Sequence, residues 1–142
     1  MPNGAAVALP PELDPPTRRE AAHAEIIQRI GNVVADAAIA VCAGISDWEF
    51  DGRLSGATRT RAGDLFVQLF ELQEATVGLL DFSAVARAEG KRTIMRRHGA
   101  ALKQHYGAAL SAERLDAVLD EIIGWPLDVL AKLTAVERAL AH

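Results

Sequence analysis

Between Thr60 and Phe82 the apolar residues recur with a helical period. Leu65, Phe66, Val67, Leu69, Phe70, Leu72, Val77, Leu79, Leu80 and Phe82 are apolar, and most of them fall on one half of a wheel drawn at about 100° per residue. Asp64, Gln68, Glu71, Ala75 and Gly78 collect opposite them. An apolar arc that wide belongs to a helix enclosed by other helices. The pattern therefore predicts a helix over 60–82, placed at the centre of the fold.

The rest of the chain carries the same period. Ile26, Ile30, Val33, Ala37 and Val41 form one face of a long helix over about Arg18–Ala43. Thr17 and Glu20 have capping-box spacing at its start, and Gly44 is its expected stop. Ser46 to Arg59 reads as a long loop punctuated by Gly52 and Gly56. A loop of that length inside a domain often has a function or orders against a partner. Asp81 and Ser83 are both capable caps for a restart. A short helix over 84–89 then ends at Gly90, and a basic helix follows over Lys91–Tyr106. Ser111 opens a helix whose Leu115, Val118, Leu119, Ile122 and Ile123 keep helical spacing as far as Gly124. Trp125-Pro126 begins another, striped by Leu127, Leu130, Leu133, Val136 and Leu140. Proline is tolerated at a first helical position, so 124–126 reads as the turn of a C-terminal helical hairpin.

The expected fold is thus all-α: a bundle of about five helices with a long buried central helix and a C-terminal hairpin. Residues 17–142 form one helical domain. Residues 1–16, with Pro2, Pro10, Pro11, Pro15 and Pro16, form a flexible arm. At 142 residues the chain can bury roughly two-thirds of its unfolded surface without disulfides or metal. Few aromatics and many Ala, Leu, Arg and Glu agree with helix.

Net charge of −4 argues mildly against a generic nucleic-acid binder. Cys42 has no second cysteine to pair with, so it reads as a small core residue in an intracellular chain. No run reaches the ~18 uninterrupted apolar residues of a membrane span, and the N-terminus lacks secretory-signal character. The expected location is the cytoplasm, away from membranes.

Several constellations could carry chemistry. Ala86 and Gly90, followed by Lys91, Arg92, Arg96, Arg97 and Lys103, suggest a helix-turn-helix over 83–106 with a basic second helix. Against it, Arg96 stands where that motif usually has an apolar residue. Asp47, Glu49, Asp51 and Gly52 match early positions of a calcium loop, but Thr58 stands where the bidentate Glu is needed. The match reads as accidental, and no metal is expected. His98 and His105 lie two turns apart on one face, too far to share an ion directly. With Gln73, which needs a partner if buried, they are candidate ligand contacts. No phosphate loop, nucleophile elbow or dinucleotide fingerprint occurs. No catalytic residue or cofactor is assigned, and no motif is specific enough to name a family.

The favoured reading is a non-enzymatic regulatory or adaptor protein acting through helix-mediated contacts. It is expected to form a homodimer and to bind a further protein. Trp48, Phe50 and Trp125 are the expected contact residues, because aromatics supply much interface energy. A DNA-binding regulator is the alternative reading, and a small-molecule-binding bundle or enzyme is the third.

Overall fold

The computed structural model describes residues 18–53 and 55–141. The N-terminal arm, the Thr17 cap and His142 lie outside the described residues, as do Leu54 and the side chain of Phe50. The described residues are all-helical: α1 Arg18–Asp51, α2 Gly56–Ala75, α3 Phe82–Tyr106 and α4 Ala112–Ala141, with a 3₁₀ turn at Gly107–Ala109. The all-α expectation holds; the expected count of five helices becomes four.

The helix at the centre is α1, not the 60–82 segment. It packs on all three other helices, most extensively on α3. Ile30, Val34, Ala35 and Ala38 are fully buried. Apolar residues surround the middle of α1, where alanines let neighbours approach closely. By length and composition α1 is apolar enough to cross a membrane; in this fold its middle is covered by the other helices instead. By contrast, α2 buries Leu65, Leu69 and Leu72 and leaves Val67 at 57% exposure. It also ends early. Thr76 turns its hydroxyl back onto the carbonyls of Leu72 and Gln73, at 2.8 and 3.2 Å, and Gly78 takes φ +78°. Such a φ ends a helix at little cost only for glycine. Val77 and Leu79 consequently lie exposed in the turn at 68% and 71%.

Three expected breaks are absent, and the glycine or proline at each is buried within a continuous helix. Gly44 is buried inside α1, which runs on until Gly52 at φ +68°. The expected loop over 46–59 shrinks to a short connection. There Ser55 caps α2, its Oγ accepting from the Thr58 amide at 3.1 Å. The Thr58 hydroxyl in turn donates to Asp47 at 2.8 Å, tying α2 back to α1. Gly90 is a buried residue within α3, not a turn. A Cβ there would stand 2.6 Å from Val34 Cγ1 and 3.1 Å from Ile123 Cδ1. Gly31 makes the reciprocal approach from α1, since a Cβ would meet Thr93 Oγ1 at 2.8 Å and the Glu89 carbonyl at 3.0 Å. Two helices meeting at glycines can approach more closely than side chains otherwise permit. Finally, α4 continues through Gly124-Trp125-Pro126, with the Pro126 ring fully buried. The C-terminal hairpin does not form, and one 30-residue helix stands in its place. Asp81 and Ser111 do cap, accepting from the amides of Ala84 and Arg114 at 3.2 Å each.

Candidate functional site

Because α4 is a single helix, its apolar residues divide into two adjoining strips. Leu119, Ile123, Leu127, Leu130 and Thr134 are buried against the bundle. About a third of a turn away lies a second strip: Val118 at 42% exposure, half-buried Ile122 and Trp125, then Val129 at 39%. Leu133, Val136 and Leu140 continue it at 46%, 55% and 81%. These residues follow one another at intervals of three and four, the spacing of a helix–helix seam.

Three apolar hollows open along that strip. Near the start of α4, one of about 390 Å³ lies among α1, α3 and α4, lined by Ile39, Cys42, Ile94, Leu102, Val118 and Ile122. At mid-helix, one of about 450 Å³ joins Val129 to Ile45, Trp48 and Phe66. Toward the C-terminus, one of about 520 Å³ sets Leu133 and Val136 against Phe66, Val67 and Phe70 of α2. Scattered exposed leucines and valines are ordinary; here they form a contiguous apolar strip with hollows beside it.

The contact residues expected from sequence divide here. Trp48 stands on this face, 62% exposed on the last turns of α1. Trp125 is half-buried within the α4 strip. Phe50 lies on the α1 backbone, its side chain outside the described part. Sequence reasoning did not find Val67 as a surface residue, because the apolar arc assigned it to a core; Phe66 and Phe70 of the same arc are half-buried and do pack against the core. Nor did it find the continuous strip on α4, which the assumed break at Gly124 divided in two.

The basic residues of α3 do not form a helix-turn-helix, since residues 82–106 are one helix. Two of the five cations are also engaged with carboxylates of neighbouring helices. Lys91 Nζ lies 2.9 Å from Asp120 and 3.1 Å from Asp116, and these bonds hold its pKa above the ordinary lysine value. Arg97 bonds Asp36 at 2.7 Å and Asn32 at 3.1 Å. Arg92 pairs with Glu89 one turn earlier on its own helix at 3.1 Å. Arg96 and Lys103 are exposed. A phosphate backbone would have to compete with acids already in place on Lys91 and Arg97.

Of the ligand candidates, His98 and His105 line one hollow of about 790 Å³ beside Ile39, Leu102 and Tyr106, and Gln73 is not part of it. Gln73 Oε1 lies 3.4 Å from Thr134 Oγ1 across α2 and α4, whereas His98 borders the hollow by Ile94. His105 is exposed and sits edge-on to Tyr106, with ring centroids 4.7 Å apart. Cys42 is half-buried beside the same hollow, and desolvation pushes its thiol pKa up. A thiol so placed is less of a nucleophile than a free cysteine. The calcium-like residues Asp47, Glu49 and Asp51 lie on helix α1, not on a loop. Among the described residues no three His, Cys, Asp or Glu side chains gather as metal ligands would.

Compared with protein-family models, with curated proteins and with solved structures, the chain shows no match.

Proposed function

We propose that this chain is a non-enzymatic regulatory or adaptor protein that works by docking its α4 face onto a helix of a partner. The single observation supporting this is the uninterrupted second strip of α4, from Val118 to Leu140, flanked by Trp48 and by Phe66, Val67 and Phe70. An incoming apolar helix would lie along the strip, and its side chains would enter the hollows beside it. Transfer of apolar surface from water gives about 25 cal/mol per Å² before the cost of ordering, enough to drive association without a charged anchor.

Site-specific photo-crosslinking in the native cell tests the reading. A photoreactive residue at Val67 or Trp48 should capture a discrete protein. The same residue at Arg96, on the basic face of α3, should not. Equal capture at Arg96, or no capture at Val67 and Trp48, refutes the proposal.

A further inference from the structure

We infer that the helix received by this face is α4 of a second copy of the same chain, running antiparallel and in full overlap. This rests on the reading above and names its partner.

Length is the first argument. The 30 residues of α4 span ~45 Å at 1.5 Å per residue, and the uncovered strip runs along most of them. A small molecule would fill one hollow and leave the rest wet. A helix of equal length covers the strip from end to end.

Charge gives the second argument and sets the direction. The flank of the strip turned away from Leu119, Ile123 and Leu130 carries Glu121, Asp128 and Lys132, all partly or fully exposed. Neither Glu121 nor Lys132 makes an ion pair among the described residues. The midpoint of Ala112–Ala141 falls between Pro126 and Leu127, and Glu121 and Lys132 are equally far from it on opposite sides. A two-fold axis through that midpoint, perpendicular to α4, lays each flank over the same flank of the other copy. Glu121 then faces Lys132 of the second copy, and Lys132 faces its Glu121. An isologous interface makes every such contact twice.

The same register also matches the apolar layers to within a residue or two. Val118 meets Val136, Trp125 meets Val129, and Ile122 meets Leu133. A parallel pair would be worse. It would lay the apolar wall of Trp48, Phe66 and Val67 over the Glu121–Asp128–Lys132 flank of the other copy. The antiparallel pair instead keeps apolar wall over apolar wall.

Charge exchange on the full chain tests this, with molar mass read by light scattering or sedimentation at micromolar concentration. The wild type should be a dimer. Glu121→Lys alone and Lys132→Glu alone each set like charges opposite one another twice, and each should weaken the dimer roughly tenfold or more. The double variant E121K/K132E restores opposite charges and should recover the wild-type dissociation constant. Leu133→Asp should give a monomer with unchanged helical circular dichroism, because Leu133 is already 46% exposed within one chain.

A monomeric wild type overturns the inference. So does a dimer indifferent to the single exchanges, or one that the double exchange fails to recover. These failures are separable from failure of the docking reading. A monomer whose Val67 position still captures a different protein leaves that reading standing. Absence of any capture, self included, removes both.

Discussion

Replacing Gly90 with alanine separates two roles that glycine can have in a helix. On propensity alone, Gly→Ala inside a helix stabilises by about 1 kcal/mol. At Gly90 the added Cβ would stand 2.6 Å from Val34 Cγ1 and 3.1 Å from Ile123 Cδ1. Carbon atoms rest about 3.5–4.0 Å apart, so Val34 would have to retreat by roughly 1 Å. It has nowhere to go. Val34 and Ile123 are both 0% exposed, and branching at Cβ restricts their rotamers. Either α1 and α3 separate or the methyl groups leave their preferred wells, at a cost of about 1–3 kcal/mol and occasionally more. With about 1 kcal/mol of propensity gained, the net expectation is a loss of up to about 2 kcal/mol, or up to roughly 7 °C in Tm for a domain of this size.

Thermal and urea melts followed by circular dichroism measure it, with two companions. Gly63→Ala lies on the exposed side of α2, where an added Cβ meets nothing within 4 Å. It should raise stability by about 0.5–1 kcal/mol. Val34→Ala should cost clearly less in the Gly90→Ala background than in the wild type, a coupling of about 1 kcal/mol. If Gly90→Ala stabilises as Gly63→Ala does, the α1–α3 contact is not made at Gly90. Loss of helical signal without a change in cooperativity would instead mean a turn at that residue.

Other perturbations follow from particular contacts. Asp47 accepts hydrogen bonds from the Thr58 hydroxyl and the Ser55 amide, which hold its pKa below the usual carboxylate value. Its contribution is therefore fully present above the unfolded value near 3.8 and is lost as pH falls through the lower folded value. Amide exchange at Ser55 and Thr58 should accelerate in that acidic window, and Asp47→Asn should remove the pH dependence. Arg97→Ala breaks the Asp36 and Asn32 bonds between α3 and α1 and should cost up to about 1 kcal/mol, since both partners are one-third exposed. Arg96→Ala should leave the melt within about 0.5 kcal/mol of wild type; equal losses for the two would refute the assignment. Trp48→Ala should reduce partner capture with little change in Tm, because the indole is 62% exposed. A large fall in Tm would place Trp48 in the core.

The helical period was enough to read the fold class and the helical character of most segments. It was also enough to find the Asp81 and Ser111 caps, which local chemistry determines. The breaks were not legible, because glycine and proline have two uses and sequence does not say which applies. At Gly52 and Gly78 a positive φ ends a helix. At Gly31 and Gly90 the missing Cβ admits a neighbouring helix. Pro126 is tolerated at a helix start, yet here it lies within α4 with its ring in the core. The two uses differ only in what stands opposite, which is a tertiary fact. Misreading Gly44 also cut α1 short and turned its last turns, with Trp48, into a loop.

Ranking helices by apolar width met the same limit. The arc on 60–82 is wide, and yet α1 is the enclosed helix. An apolar arc counts the surface a helix needs covered, whichever chain covers it. Within this chain, α1 takes up the contacts that α3, α2 and α4 have to offer, and its alanine-rich middle lets them all approach. The parts of α2 and α4 pointing away from α1 keep Val67, Val118, Val129, Leu133, Val136 and Leu140 in water, with Phe66 and Phe70 half-buried beside them. Those residues make the arcs of α2 and α4 wider than one four-helix chain can bury. The excess is not spread at random: on α4 it keeps the three-and-four spacing of a seam over most of the helix, and on α2 it lines the adjacent hollow. That spacing is the one a second helix would need in order to lie along α4, and it is what the proposed self-association uses.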